Sequence, residues 1–165
     1  MKQFTTLKTN ALFIALFLIS AACLWDNDTI EMETKQFPGT LELITGKFLR
    51  HSDEFHAWRI EDRTQRIKQF PDSIGYYDDL AVSYSKLKRD KEAIEVMQQV
   101  EKISPGRYET YANMGTFYIH DGNLKKGIEY IDKALEINPE AHFGRERYQK
   151  YLAEYLLTKQ KDGKI

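Results

Sequence analysis

The sequence predicts an all-α fold in which helical hairpins stack side by side. Three observations predict it: an internal period of 34 residues, small residues at equivalent places in each period, and a proline that closes each period. Shifting the chain by 34 residues places Tyr77 on Tyr111 and Tyr84 on Tyr118. A period of this length is typical of architectures in which one pair of helices forms the repeating unit.

Small residues and prolines recur where such a hairpin needs them. Two helices whose axes lie about 8–10 Å apart leave no room for a bulky side chain where they cross. A proline ends a helix because it has no N–H and its ring clashes with the preceding turn. The small residues are Ala81, Ala93, Gly115 and Gly127, and the prolines are Pro71, Pro105 and Pro139.

Residues 108–139, YETYANMGTFYIHDGNLKKGIEYIDKALEINP, resemble a complete tetratricopeptide repeat. The resemblance implies one repeat at residues 74–107 and a second at residues 108–141, stacked into a short superhelix. A degenerate repeat helix at residues 53–71 would precede them, and a C-terminal capping helix at residues 142–160 would follow. The chain also resembles an uncharacterised group of bacterial repeat proteins with exported N-termini, and that resemblance implies no activity.

Local signals place the individual helices. Ser52 is expected to cap the first helix and Asp90 the third, because their side-chain oxygens can accept hydrogen bonds from backbone N–H groups of the first turn. Asp121–Asn123 forms the turn inside the second repeat. The predicted helices span residues 53–70, 75–87, 90–103, 109–120, 124–137 and 142–159.

The closing helix is expected to bury a stripe of aromatic and aliphatic side chains against the last repeat. Trp58 and the tyrosines of the chain are likewise interpreted as packing residues. The stripe recurs at i, i+3, i+4, i+7 and i+8 and consists of Tyr148, Tyr151, Leu152, Tyr155 and Leu156.

Residues 1–22 have the order of a secretory signal peptide, with an early positive charge, the apolar run ALFIALFLI and small residues. Cys23 is the only cysteine of the chain. Its position resembles that of the acylated cysteine of bacterial lipoproteins, which implies a lipid anchor and a periplasmic location, at the outer membrane rather than the inner one. Ser20 stands where such signals have Leu, so an ordinary exported protein and an uncleaved anchor remain alternatives.

Residues 23–52 lack a regular pattern but carry several large apolar side chains. Such a segment is predicted to pack on the repeats rather than to form a free tether. The apolar residues are Phe37, Leu41, Leu43, Ile44, Phe48 and Leu49.

Composition and motifs narrow the function classes. The chain has 24 basic and 25 acidic residues and no basic run, which argues against nucleic acid as a partner. It has no phosphate-binding glycine loop and no nucleophile motif, so the sequence predicts neither an enzyme nor a cofactor. A short stack with open ends leaves self-association open.

The resemblance implies a concave groove, lined by the first helix of each pair, that binds a peptide or protein partner. One subclass of the family grips a C-terminal carboxylate there, but only Asn113 and Arg147 match its pattern and Asp78 has the wrong sign. A groove with charges of both signs instead favours a peptide segment that carries both charges and an apolar anchor. The implied lining residues are Asp78, Asp79, Val82, Glu109, Asn113, Thr116, His120, Arg145 and Arg147.

The alternative hypothesis is a metal-binding or enzymatic accessory protein, with a site formed by residues 23–56 and the groove histidines; the histidines considered are His51, His56, His120 and His142. His51 and His56 are five residues apart, a spacing that does not place them on one helix face. No known metal-ligand spacing matches. The sequence therefore favours a membrane-anchored scaffold without a metal.

Overall fold

The computed structural model describes residues 51–160, without the side chain of Phe143. Within that range the chain forms α-helices and one 3₁₀ turn, and no strand, which confirms the predicted all-α class. The predicted signal peptide, Cys23 and residues 23–50 lie outside the described residues. The elements are α1 (Asp53–Gln69), α2 (Ile74–Lys86), α3 (Asp90–Ile103), α4 (Tyr108–His120), α5 (Leu124–Ile137), the 3₁₀ turn (Ala141–Gly144) and α6 (Arg145–Lys159).

Of the two predicted helix caps, Ser52 is confirmed and Asp90 is not. The Ser52 hydroxyl accepts a hydrogen bond from the Phe55 backbone N–H at 3.3 Å, so it caps α1. Asn123 caps α5 in the same way, at 3.2 Å from the Lys126 N–H. Asp90 does not cap α3: it is the first helical residue, and its carboxylate accepts a hydrogen bond from Ser85 instead.

Successive helices pack on one another in chain order, and α4 and α5 make the closest crossing. A methyl group added at Gly115 would lie 2.6 Å from Cγ1 of Ile131 and 3.1 Å from the carbonyl oxygen of Gly127. One added at Gly127 would lie 2.9 Å from the carbonyl oxygen of Gly115. Only glycine lets the two backbones approach so closely, as the sequence predicted for this crossing.

The main apolar core lies between α2, α3 and α4. The buried alanines at the crossing of α2 and α3, Ala81 and Ala93, are both 0% exposed. A second cluster joins the C-terminal half of α4 to α5 and α6 through Ile119, Ile131 and Leu156. None of the helices in residues 51–160 is long and apolar enough to cross a membrane.

The closing helix differs from its prediction in both start and orientation. Residues 141–144 form a 3₁₀ turn that ends at Gly144 with φ +71°, so α6 begins at Arg145 rather than at residue 142. The tyrosines of the predicted stripe face solvent. The buried face consists of Glu146, Gln149, Ala153 and Leu156, with Leu152 half-buried. The break rotates the helix, because it shifts α6 out of the 34-residue register. The exposed tyrosines are Tyr148, Tyr151 and Tyr155.

Candidate functional site

Five of the nine residues predicted to line the groove are buried inside the stack. Their side chains make contacts within the fold, so in this structure they do not present an open surface. These five are Asp78, Asp79, Val82, Asn113 and Thr116. The other four, Glu109, His120, Arg145 and Arg147, are only partly buried.

Asp79 holds α1 against α2. Its two carboxylate oxygens accept hydrogen bonds from Arg59 at 2.5 Å and from Arg63 at 2.7 Å. Arg59 is 1% exposed and Asp79 is 0% exposed, so this is a buried ion pair. A charge buried in this way needs its partner, because an unpaired one is strongly destabilising. The Asp79 carboxylate therefore joins α1 to α2.

Asp78 links the two repeats to each other. The Arg107 guanidinium, just before α4, donates to both of its carboxylate oxygens, at 3.0 and 3.3 Å. Arg107 also lies 3.4 Å from Glu109, which stays partly exposed. Burial raises the pKa of Asp78, and the Arg107 guanidinium only partly opposes that rise. The charges of this region therefore neutralise one another across the repeat boundary.

His120 lies at the opposite end of α4, beside Ser85 and Asp90. The Ser85 hydroxyl donates to Asp90 at 2.6 Å, and the His120 Nδ1 lies 3.3 Å from the same hydroxyl and 3.5 Å from Asp90. In a hydrolytic triad the imidazole takes the serine proton. Here the single hydroxyl proton points to the carboxylate, so the arrangement joins the repeats and does not activate a nucleophile.

Thr116 and Asn113 make contacts inside the stack. The Gln149 amide of α6 donates to the Thr116 hydroxyl at 3.1 Å, and that hydroxyl bonds the Ala112 carbonyl at 3.0 Å. The Asn113 amide lies 3.9 Å from the Met97 sulfur. These polar residues of α4 therefore serve packing of the neighbouring helices.

A buried carboxylate docks the closing segment on α4. Glu146 of α6 is 0% exposed and accepts hydrogen bonds from the Tyr108 hydroxyl and from His142 Nδ1, the latter at 2.9 Å. Its second oxygen has no hydrogen-bond partner in the described part of the chain. Burial alone would raise the pKa of Glu146, but the hydrogen bonds from His142 and Tyr108 hold it below its usual value.

Sequence reasoning did not assign roles to Arg59, Arg107 or Glu146. A signal existed for the first, because Arg59 stands where the later repeats have Ala93 and Gly127. An arginine at a crossing position needs a buried acid nearby, and two adjacent acids follow in α2. Nothing in the sequence pairs Arg107 with Asp78 or Glu146 with Tyr108, since these contacts span 29 and 38 residues.

The histidines do not assemble a metal site in the described residues. There, no three side chains of His, Cys, Asp or Glu are grouped so that they could hold a metal ion. His56 is buried 3.5 Å from the Ser83 hydroxyl, and His51 stacks on Phe55 with ring centroids 3.8 Å apart. Residues 23–50, which form the rest of the hypothesised metal site, lie outside the described range.

Comparison with known proteins gives two findings. A family model described as tetratricopeptide repeat matches the chain twice, at residues 74–107 and 108–140. Small glutamine-rich tetratricopeptide repeat-containing protein 2 of Mycosarcoma maydis is 26% identical over 80 residues. That match covers 48% of the chain but 23% of the relative, so the chain spans less than a quarter of that protein's length.

Proposed function

We propose that the chain binds a peptide or protein partner along α2 and α4. Its two repeats match the tetratricopeptide repeat family, whose members are typically non-enzymatic interaction scaffolds. The partner meets the polar side chains that remain at this surface, above all Glu109 and His120. Arg107 lies 3.4 Å from Glu109, so this surface carries charges of both signs. A partner segment with alternating charges fits this chemistry best.

The observation that supports the proposal is how the buried and the surface polar residues are distributed along α4. Its buried polar residues, Asn113 and Thr116, are bonded inside the stack, whereas Glu109 and His120 at its two ends reach the surface. Ion pairs to Arg107 and contacts to Ser85 hold these ends in place. A rigid, pre-organised surface loses less entropy on binding than a mobile one.

Photocrosslinking in intact cells tests this surface. A benzophenone amino acid placed at Glu109 or His120 is expected to give adducts with a discrete partner. Matched positions on the second helices, Glu95 and Glu129, are exposed and are expected to give none. Adducts from the control positions alone would contradict the proposal, and so would the absence of adducts from all four positions.

We further propose that Cys23 carries a lipid that anchors the protein to the outer membrane, facing the periplasm. The residues that support this are the small-residue run before Cys23 and the apolar stretch before that run. Two or more acyl chains hold a protein stably on a bilayer. Leu24 after the cysteine, in place of Asp, favours the outer membrane.

Two substitutions separate the parts of the anchor proposal. Cys23→Ala is expected to move the protein from the membrane pellet to the soluble fraction and to abolish labelling by radioactive palmitate. Leu24→Asp is expected to keep the label and move the protein to the inner-membrane fraction of a density gradient. Unchanged membrane retention of Cys23→Ala would refute the lipid as the sole tether.

A further inference from the structure

Two tyrosines of α6 lie at positions equivalent to two tyrosines of α4. When α6 is compared with α4 at a spacing of 37 residues, Tyr148 corresponds to Tyr111 and Tyr155 to Tyr118. The buried sides agree as well, because Ala153 and Leu156 take the places of Thr116 and Ile119, and all four are buried. α6 therefore shares its tyrosine face and much of its buried face with α4, a first helix, but has Leu152 where α4 has Gly115.

In the complete repeat, this tyrosine face receives the second helix. Tyr130 of α5 lies between Tyr111 and Tyr118, with ring centroids 6.0 and 5.5 Å away. The Lys126 amine of α5 lies 4.5 Å above the Tyr118 ring. Tyr118 is 6% exposed as a result, whereas its counterpart Tyr155 is 53% exposed. In the described part of the chain, the helix that would cover α6 is absent.

Helix α1 presents the opposite half of an incomplete repeat. Counted by the spacing of Pro71 and Pro139, it is a second helix, and in residues 51–160 no first helix precedes it. Trp58 falls at the position of Lys126, the residue that covers Tyr118 in the complete repeat. It is 55% exposed, although the sequence predicted it as a packing residue. An exposed indole at this position is suited to stack on a tyrosine.

We propose that α1 of one copy docks on the tyrosine face of α6 of a second copy, which completes a repeat between two chains. In this arrangement Trp58 of one copy stacks on Tyr155 of the other. The proposal is independent of the partner surface on α2 and α4.

At one end of the proposed helix pair the charges are opposite in sign. The two helices of a repeat run antiparallel, so the C-terminal end of α6 meets the N-terminal end of α1. Lys159 is exposed at the first of these ends, and Asp53 and Glu54 are exposed at the second. The contact joins two different surfaces, so it is heterologous and can continue into longer assemblies. A single helix pair buries little area, which makes the association weak and concentration-dependent.

Disulfide trapping of the full-length chain tests the pairing directly. Two differently tagged copies, one with Trp58→Cys and one with Tyr155→Cys, are co-expressed, solubilised in mild detergent and oxidised with copper phenanthroline. Mixed-tag adducts are expected in at least tenfold excess over a control in which Glu61→Cys replaces Trp58→Cys. Glu61 is also exposed on α1, but its counterpart Glu129 faces solvent in the complete repeat. Cys23 is present in every arm and contributes equally.

Light scattering supplies the second readout and identifies the geometry. Trp58→Glu and the double variant Tyr148→Glu/Tyr155→Glu are each expected to be monomeric, while an equimolar mixture forms a dimer because each supplies the face the other lacks. Circular dichroism verifies that the variants remain folded. Equal trapping in the test and control arms would overturn the proposal, as would dominant Tyr155→Cys homodimers or a wild-type chain that stays monomeric at high concentration.

Discussion

Helices α4 and α5 touch through Gly115 and Gly127, whereas α1 is held on α2 by two arginines and an aspartate. The first contact is close, because a methyl group added at Gly115 or Gly127 would lie 3.1 or 2.9 Å from the opposing carbonyl oxygen. The second places Arg59 and Asp79 at 1% and 0% exposure. A repeat in the middle of the stack can use small residues, because its neighbours bury both of its faces. The first helix of the described stack has only one such neighbour and depends on specific ion pairs.

The difference in chemistry predicts a difference in sensitivity to substitution. Asp79→Ala should have the largest effect, a loss of about 3–5 kcal/mol in the free energy of unfolding, because it leaves buried Arg59 without its carboxylate. Urea denaturation followed by circular dichroism measures this. The matched control replaces the pair by apolar residues, Arg59→Met with Asp79→Leu, and should recover most of the loss. A loss below about 1 kcal/mol for Asp79→Ala would show that the end of the stack does not depend on the pair.

The glycine crossing of α4 and α5 should be the next most sensitive to substitution. Gly127→Ala adds a methyl group 2.9 Å from the Gly115 carbonyl oxygen, which is backbone and cannot rotate away. The gain in helix propensity, about 1 kcal/mol, opposes a packing cost of about 1–3 kcal/mol, so a net loss of stability is expected. Thermal denaturation measures it. Glu129→Ala, at an exposed position of the same helix, is the control and should change little. A stabilised Gly127→Ala variant would show that α4 and α5 can separate without cost.

Two buried carboxylates, Glu146 and Asp78, should also differ in their response to pH. The folded-state pKa of Glu146 is lowered, so its contribution is present above its unfolded pKa of about 4.3 and is lost as pH falls through the folded value. The pKa of Asp78 is raised, so its contribution has the opposite sign and is lost as pH rises through the folded value. Glu146→Gln should therefore flatten the loss of stability below about pH 5, measured by urea denaturation across pH. If the stability of Glu146→Gln falls below about pH 5 as steeply as that of the wild type, the assigned role of Glu146 is wrong.

Removing the N-cap of α1 should have the smallest effect on stability, and a second serine provides the control. Ser52→Ala should cost about 1 kcal/mol, because the Ser52 hydroxyl accepts the Phe55 N–H. Ser73 occupies the same position before α2 but makes no side-chain capping bond. Ser73→Ala should therefore be close to neutral. Equal losses at the two serines would contradict the assignment.

The periodic part of the fold was predictable from the sequence because repetition encodes the contacts that each repeat makes with the next. The helices from α1 to α5 begin within one residue of the predicted positions. The glycine crossing also followed from the period. The burial of Asp78 and Asp79 did not, because a repeat period carries no information about ion pairs between helices. Here Asp78 and Asp79 pair with arginines that come from outside their own helix.

The closing helix shows where periodic reasoning fails physically. The tyrosine stripe of α6 satisfies the spacing of a buried face, yet Tyr148 is 69% exposed. Spacing identifies a face but not which of two neighbouring faces meets the core. That choice depends on the docking of Glu146 against Tyr108, a contact no local pattern reports.

The left-handed Gly144 has a consequence for how this chain could lengthen. Tandem arrays grow by duplication of one unit, and a new unit joins cleanly only when it starts in phase with the old one. The turn before α6 adds three residues to the spacing of equivalent tyrosines, 37 against 34. A duplicated copy of residues 108–141 inserted after Ala141 would keep the 34-residue phase, whereas the same copy placed after α6 would have to follow the displaced one. The turn at Gly144 therefore disfavours the addition of a repeat after α6, whereas a repeat can be added in phase between α5 and the turn.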